Sequence, residues 1–454
     1  MKGTKNLTEG PILRQLFMLA MPIMATSFIQ MAYSLTDMAW VGRLGSEAIA
    51  AVGSVGLLIW MTSSLTLLNK VGAEVSVGQS IGLKDEIAAR GFSMHNITIS
   101  LLISIIWASI LFCFAPAIIS MYKLERSIAN NAISYLRIVS TAFPFVFLSA
   151  SFTGIFNAAG RSKIPFTING IGLLINMLLD PILIFVLDGK TDGAAWATWI
   201  AQASVFSLFL YQLKFKNILW ENFCFLGRLK RTYTIRIFKI GFPVATLNAL
   251  FAFVNMFLGR TASTVGGHLG LMAMTTSGQI EAITWNTSQG FSTALSAFVA
   301  QNYAARRIQR VMKALKSTLF MTFIFGLLCS FLFIFGGNNI FAIFVPEKEA
   351  YEVGGLALRI DGYSQLFMML EIVIQGVFYG IGRTIPPAII SITCNYLRIP
   401  MALLLVSFGW GLSGIWWSIC ITSILKGIII FIWFLYVKRK TLDVMIKQEN
   451  NIFN

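Results

Sequence analysis

Two carboxylates and two neutral polar side chains lie within long apolar stretches of this sequence of 454 residues. They are Asp37, Asn176, Asp180 and Thr198. Asn176 and Asp180 are four residues apart and therefore share one face of a helix. Pro181 has no backbone N–H, so it leaves the carbonyl of Met177 without its helical donor. Carboxylate, amide, hydroxyl and free carbonyl oxygens suit a small hard cation such as Na⁺. Two neighbouring carboxylates can equally share a proton.

These groups are expected to lie at a similar depth in a membrane. Asp37 lies about four residues, and Asp180 about seven residues, before the outer ends of their predicted spans. Thr198 lies about six residues after the outer end at which its own span begins. At about 1.5 Å per residue, the three differ by roughly 5 Å in depth. Because a charge at mid-helix costs roughly 2.5–3.5 kcal/mol on insertion scales, a functional role is favoured. The alternative is that they only tie helices together.

A second set of polar residues, in the other half of the sequence, is predicted to line a substrate cavity. It comprises Asn255, Glu281, Asp361 and Glu371. The acids of this set would attract cationic substrates. They could instead pair with Arg359 or Arg398.

The composition predicts that these residues belong to an integral membrane protein. Hydrophobic residues make up 56% of the chain and charged residues 12%, about half the charged share of a soluble domain. A water-soluble enzyme is therefore excluded, and so is a nucleic-acid-binding chain, despite the net charge of +16. Twelve continuous apolar segments without period-2 alternation predict membrane-spanning helices. They cover 14–41, 46–82, 90–119, 128–158, 163–187, 192–215, 234–262, 268–304, 309–338, 350–381, 385–408 and 411–437.

Basic residues concentrate in every second loop, which the positive-inside rule places in the cytoplasm. They are Lys84, Arg90, Arg161, Lys163, Lys214, Lys216, Arg228, Lys230, Arg231, Arg306, Arg307, Arg310, Lys438, Arg439 and Lys440. Twelve spans then place both termini in the cytoplasm. We expect a multi-pass monomer of the plasma membrane, with membrane lipids but no nucleic acid among its partners. Scattered cysteines and two distant histidines predict no disulfide framework, metal cluster or cofactor.

The two halves of the sequence repeat each other in order and spacing. Residues 136–138 match 358–360, residues 159–161 match 381–383, and Asn176 matches Asn395. Six spans per half are an even number, so the halves are parallel repeats, which is an architecture of secondary transporters. The predicted domains are an N-terminal six-helix lobe (1–213), a cytoplasmic linker (214–233) and a C-terminal six-helix lobe with a short cytoplasmic tail (234–454).

This repeat provides an internal comparison for the polar set. Its alignment places apolar residues in the second half opposite Asp37, Asp180 and Thr198. In that order they are Leu258, Ile399 and Ile419. The carboxylates are therefore not required to build the six-helix unit, which favours their role in ion binding.

With these residues identified, the chain resembles the multidrug and toxic compound extrusion (MATE) transporters, in particular their prokaryotic DinF-like branch. The resemblance covers essentially the whole chain. Its motifs are Pro22, Leu35-Thr36-Asp37, Ala159-Gly160-Arg161, Asn176-Met177-Leu178-Leu179-Asp180-Pro181 and Gly193-Ala194-Ala195-Trp196-Ala197-Thr198. The resemblance implies an all-α membrane protein with twelve transmembrane helices in two pseudo-symmetric six-helix bundles, located in the inner membrane of a prokaryote.

The same resemblance implies a function and a site. The function is export of small-molecule drugs or toxins, typically amphipathic organic cations, by antiport with Na⁺ or H⁺. The implied cation site comprises Asp37, Asn176, Asp180 and Thr198. Relatives of the NorM type carry an important acid in the seventh span, where this chain has Asn255 as its central polar residue. Glu371 lies close to where those relatives have a carboxylate.

Three other functions remain to be compared with drug export. A lipid-linked precursor flippase of the wider superfamily would hold phosphates with basic residues, whereas the unpaired membrane charges here are expected to be mostly acidic. A membrane-embedded enzyme would need a nucleophile, metal ligands or a phosphate motif, and the sequence contains none that we can identify. A channel is disfavoured because the duplication and the one-sided acid site indicate alternating access.

Overall fold

The chain is described by a computed structural model that covers residues 4–453 except 123, 217, 218, 221 and 222. Every regular element in these ranges is helical. The helices are α1 (Ile12–Gly42), α2 (Ser46–Gly82), α3 (Glu86–Ser120), α4 (Arg126–Ala158), α5 (Lys163–Pro181), α6 (Lys190–Leu210), α7 (Arg231–Ala304), α8 (Ile308–Phe344), α9 (Lys348–Gly362), α10 (Gln365–Gly380), α11 (Ile385–Leu405), α12 (Gly411–Val437) and α13 (Asp443–Phe453). Short π-helical turns follow α5, α6, α11 and α12.

Nine stretches of the described residues are long and apolar enough to cross a membrane. Two of them, Arg231–Ala304 and Ile385–Glu449, each contain two of the predicted spans. In the first, the helix is interrupted at Gly267, where φ is 59° and ψ is −144°. The all-helical membrane fold is as predicted, while the count of twelve spans stays a prediction.

The predicted span 350–381 differs from the structure because it is broken into α9 and α10. Ser364 Oγ donates to the carbonyl of Asp361 at 2.9 Å, and Gln365 Nε2 approaches the same carbonyl at 3.3 Å. These side chains compete with the backbone for the carbonyl, which favours the end of a helix. Hydropathy is continuous across the break, so the sequence pattern did not indicate it.

Packing divides the chain into two units. The first unit comprises Met1–Leu7 and Met21–Ala245, and the second comprises Thr8–Ala20 and Thr246–Asn454. The predicted domain limits at 213 and 234 stay a prediction. Residues 217, 218, 221 and 222 of the predicted linker lie outside the described residues.

Helices α5 and α6 run from one apolar cluster of the first unit to another. Ile184, after α5, belongs to the cluster that also includes Val41 of α1 and Ala195 of α6. Ile168 of α5 and Val205 of α6 belong to the other cluster. The polar residues of α5 and α6 therefore lie between two apolar layers.

Candidate cation-binding site

Three helices of the first unit carry the predicted site residues. Asp37 lies on α1, Asn176 and Asp180 lie on α5, and Thr198 lies on α6. The connection from α5 to α6 is tight, because a Cβ on Gly193 would collide with the carbonyl of Leu183. Glycine at this position thus allows the backbones of α5 and α6 to touch.

Helix α1 is held against the end of α5 by apolar and aromatic contacts. The rings of Trp40 and Phe185 meet edge to face with centroids 6.2 Å apart, and Val41 and Ile184 share one apolar cluster. Asp37 is one helical turn before Val41, and it therefore faces the same neighbourhood as Asp180.

The four predicted residues come together in the structure. Asn176 and Asp180 are fully buried, and Asn176 Nδ2 donates to Asp180 Oδ1 at 3.2 Å. Asp37 is close enough to Asp180 to interact with it electrostatically. Among the described residues, neither carboxylate takes part in an ion pair.

Five buried oxygen atoms of this site have no hydrogen-bond partner within the described part of the chain. They are Tyr33 Oη, Asp37 Oδ1, Asn176 Oδ1, Asp180 Oδ2 and Thr198 Oγ1. Each buried polar atom left in this way costs about 1–3 kcal/mol. A bound cation, a proton or water would satisfy them. Two carboxylates among neutral oxygen donors form a set that can bind a small hard cation or share a proton.

The sequence analysis missed two tyrosines and one glutamine of this site. The Tyr33 side chain lies against Thr198 and Gln202 and within electrostatic range of both carboxylates. Buried Tyr135 of α4 is also within range of Asp37 and Asp180. Tyr33 precedes Asp37 by four residues and Gln202 follows Thr198 by four, so helical spacing was a usable signal for those two.

In the second unit, apolar residues occupy the positions that correspond by the internal repeat to Asp37, Asp180 and Thr198. Leu258, Ile399 and Ile419 are the repeat counterparts of Asp37, Asp180 and Thr198. All three belong to one apolar cluster of the second unit. The fold therefore brings these positions together in both units, and only the first unit fills them with oxygen ligands.

Glu371, predicted to line a substrate cavity, lies buried in an ion pair. Its Oε2 is 3.0 Å from Lys426 Nζ. Its Oε1 accepts hydrogen bonds from Ser391 Oγ at 2.6 Å and from Gln375 Nε2 at 2.9 Å. Of the two possibilities left open for Glu371, the structure shows pairing with a basic residue, although the partner is Lys426 and not Arg359 or Arg398. Sequence analysis missed Lys426 because it lies 55 residues from its partner on another helix.

Of the remaining residues of that set, the two acids lie within electrostatic range of each other. Half-buried Glu281 interacts electrostatically with Arg398, and buried Asp361 is in range of both. Of the two arginines considered as partners, Arg398 is therefore the one the structure places beside them. Asn255 is half-buried on α7, and within the described part of the chain it forms no hydrogen bond with these acids.

The chain is similar to one family model and to proteins of known name. The model of the MatE family matches residues 22–182 and 243–404. A probable multidrug resistance protein NorM of Thermotoga maritima is 23% identical over 451 residues, covering 96% of this chain and 95% of that protein. The multidrug export protein MepA of Staphylococcus aureus is 23% identical over 430 residues, with coverages of 91% and 92%.

The chain also shares its fold with solved structures. A MATE protein in the straight conformation superposes with a TM-score of 0.89 at 22% identity, covering 98% of this chain and 99% of that one. A MOP superfamily transporter from Pyrococcus furiosus, for which reverse polarity of the binding pocket suggests a different function, gives a TM-score of 0.89 at 22% identity and the same coverages. At this identity the similarity establishes the fold alone.

Proposed function

This chain belongs to the MatE family of multidrug and toxic compound extrusion transporters, and from that premise we propose that it exports amphipathic organic cations by antiport with Na⁺ or H⁺. It is a transporter and not an enzyme, and a multi-pass membrane protein of a prokaryote. The finer proposals are that it works as a monomer among membrane lipids, that both termini are cytoplasmic, and that it belongs to the DinF-like branch.

One observation carries the proposed coupling mechanism. Oxygen atoms from α1, α5 and α6 converge without hydrogen-bond partners around the two carboxylates of the first unit. A cation or proton that neutralises them can drive transport only if it binds one conformation of the transporter more tightly than another. By linkage, the drug must then shift the affinity for the cation by the same factor.

Transport by the purified full-length protein in proteoliposomes tests this function. A fluorescent monovalent organic cation should accumulate when either a Na⁺ gradient or a H⁺ gradient is imposed separately, and the effective gradient identifies the coupling ion. Absence of transport under both gradients, with correctly folded protein in the vesicles, would contradict cation-coupled export of such compounds.

The two halves offer a matched pair of asparagines as a further test. Asn176→Ala is expected to weaken apparent cation affinity about 10-fold, the loss of about 1.4 kcal/mol, because the side chain holds Asp180 and presents a free oxygen. Asn395→Ala should change it less than about 2-fold, since Ile399 stands four residues on. Cation-concentration dependence of drug transport measures both. Equal losses for the two variants would argue against a first-unit site.

The proposed topology is tested by labelling in intact cells with a membrane-impermeant maleimide. The native exposed cysteines Cys113 and Cys224 are first replaced by serine. Lys190→Cys should be labelled from outside, whereas Lys230→Cys should react only after the cells are opened, because alternate loops lie on opposite sides. Both positions are exposed, so access to the label is not limited by packing. Labelling of position 230 from outside in intact cells would contradict the proposed orientation in the membrane.

The alternative function is that of a lipid-linked precursor flippase, and the basic residues of the second unit are the reason to consider it. Arg398 donates to Thr422 Oγ1 at 3.1 Å and to Ser423 Oγ at 3.0 Å, and Lys426 pairs with Glu371. Both cations are buried and already held by partners. This arrangement supports an internal role for them and favours drug export over phosphate binding.

A further inference from the structure

We propose that Lys426 is a permanent counter-ion of Glu371 and prevents exchangeable cations from binding to that carboxylate. In this chain the carboxylate of α10 is then neutralised permanently, and it neither binds a coupling ion nor faces a cationic substrate. The inference deepens the proposed function, on which it rests, because it assigns ion exchange to the first unit and denies it to Glu371.

Both carboxylate oxygens of Glu371 already have partners, one of them a cation. Nζ of Lys426 lies 3.0 Å from Oε2, while Ser391 and Gln375 donate to Oε1. Tyr379 Oη in turn donates to Gln375 Oε1 at 3.3 Å, which orients the amide. A cation bound at Glu371 would have to displace an ammonium group from a buried site.

The ammonium is held in place by the packing of α12 on α10. A Cβ added to Gly427 would lie 2.6 Å from the carbonyl oxygen of Phe367, so the two backbones touch there. Glu371 follows Phe367 by one helical turn, and Lys426 is the neighbour of Gly427. The lysine therefore reaches the carboxylate from a fixed point. Arg398 is also within electrostatic range of Lys426, which makes an additional cation at this place still less favourable.

The repeat indicates that the pair was not needed to build the six-helix unit. The alignment that matches residues 159–161 with 381–383 places Ser149 opposite Glu371. The alignment of Thr198 with Ile419 places Val205 opposite Lys426. Both counterparts are buried and neutral. Carboxylate and ammonium thus occur together in the second unit and are both absent from the equivalent positions of the first.

The test measures ²²Na⁺ binding to the purified full-length protein in detergent at about pH 9, where protons compete weakly for carboxylates. Asp37→Asn serves as the parent, so that the first-unit site is silent. Adding Lys426→Met should allow one further Na⁺ to bind per chain relative to this parent, and adding Glu371→Gln to that variant should remove it. Lys426→Arg, which keeps the positive charge, should bind no more Na⁺ than the parent.

The result that would overturn the proposal is no additional Na⁺ bound by the Lys426→Met variant, relative to the Asp37→Asn parent, at any Na⁺ concentration tested. Lys426→Gln, which can still donate a hydrogen bond to Glu371, is measured under the same criterion if the methionine variant does not fold. A purely structural ion pair would lose thermal stability in these variants without gaining a bound ion. If the wild type binds Na⁺ and the Asp37→Asn parent binds equally much, the first-unit site is refuted, while the comparison at Lys426 still holds.

Discussion

Asp37→Asn is expected to lower gradient-driven drug export by about 100-fold, equivalent to about 2.7 kcal/mol, while the protein stays folded and inserted. The amide carries no exchangeable charge, so it can neither release a proton nor neutralise Na⁺. Its shape matches the carboxylate, and Oδ1 of Asp37 has no hydrogen-bond partner among the described residues that the change would break. Export in proteoliposomes and the melting temperature in detergent measure the two parts of this prediction.

A matched control removes a different carboxylate of the same unit. Asp192 lies in the first turn of α6 and accepts a hydrogen bond from Ser134 Oγ at 2.7 Å. Asp192→Asn removes a negative charge near one end of α6 but leaves the cation site intact, so export should stay near the wild-type rate. If Asp37→Asn exports at the wild-type rate under either ion gradient, the coupling site lies elsewhere.

Glu371→Gln is expected to lower the stability of the protein strongly. It is also expected to lower the export of all substrates to a similar degree. The change leaves the ammonium of Lys426 buried without a carboxylate, and breaking a buried pair in this way costs about 3–5 kcal/mol. The melting temperature should therefore fall, and export of monovalent cations and of neutral compounds should fall together. This differs from the effect expected of a free acid in a substrate cavity, which would weaken the export of cations alone.

The double variant Glu371→Gln/Lys426→Met separates charge from shape at this position. Removing both charges should restore most of the lost stability, since neither partner is then left unpaired. A Glu371→Gln protein that melts like the wild type and loses only cationic substrates would contradict the ion-pair account. It would return Glu371 to the substrate cavity predicted from the sequence.

The first-unit site could be predicted because its residues break a local rule. A carboxylate in an apolar helix is costly, and the spacing of Asn176, Asp180 and Pro181 already fixes their shared helical face. Counting residues from the segment ends then places Asp37 at the same level. That these residues meet depends on how α1 packs on α5, through the contacts of Trp40, which hydropathy does not contain.

The arrangement of the second unit could not be predicted in the same way. Glu371 and Lys426 are partners across α10 and α12, and a pairing between distant segments leaves no periodic signal along the chain. The break between α9 and α10 depends on hydrogen bonds from Ser364 and Gln365, although the surrounding stretch reads as one apolar span. The ion pair is a tertiary contact and the break rests on local side-chain hydrogen bonds, and hydropathy records neither.

Reciprocal coupling tests the central claim most directly. Proteoliposomes loaded with a transported organic cation are diluted into drug-free buffer without any ion gradient, and the counter-movement of ²²Na⁺ or of protons is recorded. Linkage requires that a drug gradient drive the coupling ion as surely as the ion drives the drug. We predict a drug-dependent flux of one of the two ions in the wild type and its loss in Asp37→Asn. An equal drug-driven ion flux in the wild type and in Asp37→Asn would contradict the assignment of coupling to the Asp37–Asp180 site.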